Sequence, residues 1–575
     1  MRLQITKSKN AQSLYIVKST YSREKKHSNK IVKKLGTYAE LLKTHEDPIA
    51  WGKEVAKQMT EEEKESKKKV ALNFSPNKKI EINNKNRYNV GYLFLEKLYY
   101  ESKLNVICKE ITNRYKFDYD LNDILQKLIY TRIISPGSKN NAYEQSQNFL
   151  EAPKFSLQNI YRSLEVLCKE MDYIQSKLYL NSTSVLKNRS NILYYDCTNY
   201  FFEIEQADGI KQYGVSKENK PNPIVQMGLF IDGDGIPLSF CLNPGNTNEQ
   251  GTLIPLEQKI FDDFKKERVI VCTDAGLSSI ANRKFNSFGQ RNFITVQSVK
   301  KMKSFRKDWV FDNKNWYMLS DEKKIKVNLE EIIGNPDLEN KYYNAIFYKD
   351  EWMKDDDGFE QRYILSYSIK YREYLRNIRN QQITRAKKII DNGNIHTRQN
   401  DPKTYIQITD ITEQGEIAEN KILSLDEEKV FEEEKYDGYY CVATDLEDDV
   451  RIIIDVNKRR WEIEESFRIM KTEFKARPVY LRKEDRITAH FLTCFLALYI
   501  FRLLELRTEH KYTCEQLIKT LRDMDMVYID KEGYIPAYTR SEITDCLHKK
   551  FGFNTDYEFT SLSNMRKIFS LVKKP

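Results

Sequence analysis

No CxxC pair occurs among the nine cysteines, the six histidines are scattered, and no apolar run is long enough to span a bilayer. An odd number of cysteines without framework spacing excludes a disulfide scaffold and points to reduced thiols. A structural zinc site would need clustered Cys and His, so any metal must be held by carboxylates. The most apolar stretch, residues 487–501, is 15 residues long, contains His490 and is bounded by Arg486 and Arg502. A spanning helix needs ~20 apolar residues, so this stretch is expected to be a buried core helix, with no membrane partner. The first residues also lack the continuous apolar core of a signal peptide, and the expected location is cytoplasmic.

What is present is charge, unevenly placed. The chain has 575 residues, with 94 Lys+Arg against 84 Asp+Glu and a formal net charge of +10. At ~100–200 residues per domain, three to five domains are expected. Residues 1–80 hold 19 Lys+Arg and 9 Asp+Glu, so the remaining 75 of each sign cancel. Affinity for a polyanion is therefore sought at the N-terminus or in local patches.

The pattern along the chain suggests six regions. Residues 1–80 read as a basic region with a small β unit, a charged turn (residues 23–30) and a lysine-rich linker (residues 61–79). Residues 81–185 read as helical: residues 121–134 have helical apolar spacing stopped by Pro136-Gly137, and a second helix follows an N-cap at Ser156. This pair is either a helix-turn-helix-like DNA reader or an ordinary helical bundle. From 186 to 300 the period changes to strands, with Asp232-Gly233-Asp234-Gly235 as a hairpin turn. Three antiparallel strands followed by alternating helix and strand predict a mixed α/β sheet in the order of the ribonuclease H-like fold. Residues 301–450 break that rhythm and read as an inserted domain. Residues 451–510 return to the core, and 511–575 form a C-terminal region.

Three carboxylates have a chemical reason to be where they are. Asp196 interrupts an aromatic strand, YYDCTNYFF, where a charge conflicts with packing unless it faces a site. Asp274 ends the apolar strand VIVCTD, at the strand tip where open α/β sheets place their ligand crevices. In RRWEIEESFRIMKTEF, the spacing of Arg460, Glu464, Arg468 and Lys471 puts all four on one helical face. Mg²⁺ prefers oxygen ligands, and two such ions ~3.5–4 Å apart support an in-line phosphoryl displacement. Arg and Lys beside the carboxylates suit phosphate contacts. The combination implies chemistry on a nucleic-acid backbone.

These motifs resemble those of DDE-type bacterial insertion-sequence transposases, in the group whose third motif is Tyr-x2-Arg-x3-Glu-x6-Lys. Arg460, Glu464 and Lys471 match that spacing, while Asn457 stands where the family has its tyrosine. YYDCTNYFF and VCTDAGLSS resemble the two Asp motifs, and GLFIDGDGIPLSFCLNPGNTNE resembles the hairpin and Gly-Asn turn between them. The resemblance implies that Asp196, Asp274 and Glu464 hold two Mg²⁺ ions, for which Mn²⁺ can substitute. It implies DNA contacts by Arg460, Arg468 and Lys471, cleavage at terminal inverted repeats, and joining of the freed 3′-OH ends to target DNA. It further implies a homodimer in the synaptic complex, association with the bacterial nucleoid through DNA, and a tryptophan in the insertion stacking on a flipped base, with Trp316 as the candidate. The alternatives are a ribonuclease H-like nuclease without strand transfer and an inactive DNA-binding relative.

Overall fold

Alternation between short apolar strands and amphipathic helices produces a large mixed sheet flanked by helices. The computed structural model describes residues 1–8, 11–20, 28–68, 76–77, 79, 81–186, 190–264, 268–319, 324–392, 405–409 and 422–574. The charged turn expected near residue 25 and much of the lysine-rich linker lie outside the described residues.

The chain divides into two compact units, residues 1–86 with 529–534, and residues 87–528 with 535–575. The first contains an antiparallel sheet of β1 (Arg2–Lys7), β2 (Gln12–Thr20) and β3 (Ser28–Thr37), with a helix over Pro48–Lys68. In the second, the short β4 (Arg87–Asn89) pairs with residues 525–527. The helices expected between 81 and 185 follow it. Asp120 caps Leu121–Ile134, its carboxylate accepting from the Asn122 and Asp123 amides at 2.9 and 3.1 Å. Ser156 caps Leu157–Lys169 through a reciprocal box with Asn159. Both helices pack against Glu484–Arg507, the 24-residue helix that contains the most apolar stretch. That helix is long and apolar enough to cross a membrane, but 94% of its apolar window is buried inside the protein. Their apolar faces are thus used for packing against that helix.

The main sheet begins with β5 (Ile192–Phe201), β6 (Ile224–Asp232) and β7 (Pro237–Pro244), which are antiparallel neighbours. The β6–β7 turn is built on Asp232, whose Oδ1 accepts from the Asp234 and Ile236 amides. Gly235 there has φ +76°, in the left-handed region that favours glycine. Next come β8 (Val269–Thr273) and β9 (Arg291–Gln297), parallel to β5 and to each other. Between β9 and the last strand lie β10 (Trp316–Met318), β11 (Ile325–Val327), β12 (Phe347–Lys354), β13 (Glu360–Tyr367) and a separate pair, β14 (Ile406–Thr409) and β15 (Ile422–Leu425). β16 (Tyr439–Thr444) returns antiparallel to β9. The complete order is β11-β10-β12-β13-β16-β9-β8-β5-β6-β7. Five strands from the expected insertion, β10 to β13 and β16, therefore extend the same ten-stranded sheet, and they belong to the same compact unit as the rest of it. A core of Phe293, Trp316, Phe347, Leu365 and Cys441 joins old and new strands.

Candidate active site

Alternation along β5 sends Leu193, Tyr195 and Cys197 into one core with Val269 and Val271 of β8. Tyr194, Asp196 and Tyr200 point to the opposite face, where the Tyr194 hydroxyl donates to the Val456 carbonyl at 2.8 Å. Tyr194 pairs with Cys272 across the parallel β5–β8 ladder. Carrying that register on by two residues sets Asp196 beside Asp274, on neighbouring strands ~4.8 Å apart. The two aspartates expected from sequence are thus brought together at the end of β8.

Their environments differ. Asp196 is half-buried, and its Oδ1 accepts from the Cys197 amide at 2.7 Å. Burial pushes its carboxyl up to about 7; the negative charge of Asp274 adds to this, while Lys217 and Arg460 oppose it. Asp274 accepts from the Leu277 amide at 3.0 Å, and its backbone carbonyl takes the Thr295 hydroxyl at 3.3 Å. Gly276 leaves room beside that carboxylate: a Cβ there would stand 3.3 Å from Oδ1.

Glu464 lies on the helix Trp461–Arg468, with its side chain 58% exposed and paired to Arg460 at 3.3 Å. Among the described residues, no group of three His, Cys, Asp or Glu side chains is close enough to hold one metal ion. Glu464 is therefore on the helix that borders the aspartates but turned to its own arginine. Arg460 links the three: burial works against its charge, yet Tyr440, Glu464 and Asp274 hold the guanidinium above its ordinary pKa.

Lys471 also lies on the Asp196 side. Burial, followed by repulsion from Lys217, lowers its ammonium to about 8, while Asp196 opposes the shift. It pairs with Glu218 at 3.1 Å. Arg468 does not join this group. It is bonded to Glu465 at 2.6 and 2.7 Å and lies 3.7 Å from Glu473. The expected common face of four residues is thus reduced to Arg460, Glu464 and Lys471, and Lys471 sits within a π-helical turn, Ile469–Glu473, that begins after Arg468.

Trp316 is the clearest correction. The ring is 0% exposed, packed in the core with Tyr439 nearby, and its Nε1 donates to the Asp312 carbonyl at 3.2 Å. It has no face open to a base. A strand residue's aromatic character does not say which side of the sheet it occupies.

Several site residues had no sequence signal of their own. Lys217, in a loop, donates to the Cys197 carbonyl at 2.6 Å and pairs with Glu249 at 3.2 Å. Glu218 holds Lys471 and also Arg477. Glu249 closes a recognised motif, the hairpin and Gly-Asn turn. Asn457, in the family's tyrosine position, is 7% exposed and donates to the Tyr440 hydroxyl at 3.0 Å. A tyrosine hydroxyl is therefore present there, supplied by β16.

Oxygen donors in a half-buried, like-charged pair fit a hard divalent cation, which relieves the repulsion between them. Asp196 and Asp274 are the two carboxylates that could hold such an ion together, and Glu464 is on the helix that borders them.

Among solved structures, the chain is similar to a piggyBac transposase synaptic complex with hairpin DNA, at 8% identity, 84% coverage of this chain, 85% of that chain and a TM-score of 0.36. A Mos1 transposase paired-end complex gives 14% identity, 30% and 58% coverage and a TM-score of 0.13. A Mos1 mariner paired-end complex with Mn gives 13% identity with the same coverages and TM-score. No curated protein matches. A protein-family model described as transposase DDE domain matches residues 201–500, starting just after Asp196 and including Asp274, Arg460, Glu464 and Lys471. That match spans more than half of the sequence, and the chain belongs to the transposase DDE domain family.

Proposed function

We propose that this protein cuts DNA at the ends of its own mobile element and joins the 3′-OH ends to target DNA, using Asp196, Asp274 and Glu464. The observation that carries the proposal is that Asp196 lies beside Asp274 on parallel strands, next to the helix that bears Glu464, with Arg460 at its start and Lys471 in the turn after it. The strand order β7-β6-β5-β8-β9, with β5 central and the first three antiparallel, supports a ribonuclease H-like core. When bound, two Mg²⁺ or Mn²⁺ ions supply Lewis-acid activation of the attacking oxygen and stabilisation of the leaving one.

The protein's own groups do the rest. Asp196 and Asp274 provide hard oxygen ligands, and Glu464 completes the set by leaving Arg460. Arg460, once released, is free to take a phosphate oxygen with its guanidinium fork. Lys471 presents a second positive charge on the Asp196 side. In the N-terminal unit, the exposed Lys30, Lys33 and Lys34 of β3 suit non-specific contacts with duplex DNA. Two element ends must be held together for joining, so a homodimer is the expected synaptic form.

The test is a strand-transfer assay on duplexes carrying the inverted repeats that flank the coding region, with Mg²⁺ or Mn²⁺. Joined products support the reading. Hydrolysis products alone support a nuclease without transfer, and metal-independent binding without cleavage supports an inactive relative. Glu464→Gln is expected to lower cleavage and joining together by ~10³-fold or more while DNA affinity changes less than ~3-fold, measured by gel shift beside the cleavage assay.

A further inference from the structure

Beyond the helix that carries Glu464, the chain turns past Lys475 and Arg477 and lines a cavity of about 180 Å³. This is several times the ~30 Å³ that one water occupies in the liquid. Arg132, Lys139, Lys475 and Arg477 line it with Ser138 and His490, and among the described residues no carboxylate does. Lys139 begins the helix Lys139–Ser146, which Ser138 caps by accepting from the Asn141 amide at 3.1 Å.

The cavity's charge is not balanced from within. Lys139 is 4% exposed, and among the described residues its Nζ has no hydrogen-bond partner. The Nε of Arg132 is also unpartnered, although the other guanidinium nitrogens hold the Gly137 and Phe474 carbonyls at 3.0 and 3.1 Å. His490 supplies no negative charge. Its Nε2 meets the Ala476 carbonyl at 3.0 Å, and burial, then Arg132 and Lys139, lower its pKa well below the usual range. Burial and the adjacent Arg132 bring the Lys139 ammonium down to about 7, with only Cys494 opposing.

A buried lysine kept for structure is ordinarily paired with an acid. Here a buried ammonium, a guanidinium with a free donor and a capped helix start surround one space, an arrangement suited to a tetrahedral oxyanion. The space also adjoins the basic side of the carboxylate site, because Arg477 pairs with Glu218, the same residue that holds Lys471.

We propose that this cavity seats one backbone phosphate of bound DNA, away from the phosphate being cut, with Lys139 and Arg132 as its buried contacts and Lys475 at its mouth. The proposal rests on the DNA-cutting reading above and adds a second, non-reacting grip on the strand. It explains why the motif RIISPGSK, residues 132–139, brings an arginine and a lysine to one place across a helix end.

The test uses the full chain with Lys139→Met and, as a variant at the exposed mouth, Lys475→Asn. Lys475 has φ +46°, which asparagine tolerates. Two probes are read: duplex DNA binding across a salt series, and thermal unfolding with inorganic phosphate against chloride of equal ionic strength. Expected for Lys139→Met are an unfolding temperature no lower than wild type, a salt slope of log K reduced by about 0.9, and about 10-fold weaker binding at the lowest salt. Phosphate is expected to raise the wild-type unfolding temperature and to lose that effect in the variant. If Lys139→Met does not fold, the same loss of slope in Lys475→Asn carries the proposal. Wild-type affinity and slope in whichever variant folds overturn it. If wild type binds no DNA but phosphate still protects it through Lys139, the transposase reading fails and the DNA occupant with it, leaving only an anion pocket.

Discussion

Asp196→Asn and Asp274→Asn will each reduce DNA cleavage by ~10³-fold or more, and in divalent-free buffer at pH 8 Asp196→Asn will be more stable than wild type. The first half follows from ligand chemistry: an amide oxygen is a neutral donor and leaves a divalent cation without the charge that binds it. The second half follows from electrostatics within the protein. Burial, with Asp274 beside it, raises the Asp196 carboxyl to about 7, against ~3.9 for an unfolded aspartate. A raised carboxyl in the folded state contributes nothing below pH ~4 and becomes progressively destabilising as pH rises from ~4 to ~7. Removing the charge therefore recovers up to about 4 kcal/mol above pH 7 and nothing at pH 4. Thermal unfolding of both proteins at the two pH values measures this. Saturating Mn²⁺ should reverse the order, since only wild type gains the full binding energy. An Asp196→Asn protein less stable than wild type at pH 8 without divalent ions would show that the carboxylate is a structural hydrogen-bond acceptor instead.

The second large effect is in the extended part of the sheet. Trp316→Ala is expected to cost 3–5 kcal/mol, because it empties a fully enclosed space among strands that share one core. The indole also loses its bond to the Asp312 carbonyl and its contact with the Lys349 ammonium, 4.9 Å above the ring. A urea titration should show the midpoint moved down, and cleavage and joining should fall together with the folded fraction. A Trp316→Ala protein with an unchanged midpoint but one selectively lost reaction step would restore the base-stacking role that its burial argues against.

Local chemistry was legible in the sequence. Asp232-Gly233-Asp234-Gly235 forms its turn, Ser156 and Asn159 form their cap, and Glu484–Arg507 is the core helix. The aspartates were legible because a charge inside an aromatic strand or at an apolar strand's tip conflicts with local packing. What could not be read depends on partners distant in sequence. The pairing of β13 with β16 and of β16 with β9, which merges the expected insertion into the sheet, is a long-range choice between strands of similar composition. Arg468 satisfied the spacing rule, but Glu465 and Glu473 were nearer partners than any site carboxylate. Lys217, Glu218 and Tyr440 reach the site from loops and a strand with no periodic signal.

The central claim is that Asp196, Asp274 and Glu464 act as one divalent-ion centre, although Glu464 is paired with Arg460 in the structure. Electron paramagnetic resonance titration of Mn²⁺ tests it most directly, with wild type, Asp274→Asn and Glu464→Gln each bound to the same DNA end. Two Mn²⁺ ions per active site are expected in wild type, with at least ~10-fold weaker binding in both variants. Equal stoichiometry and affinity in all three proteins would contradict it.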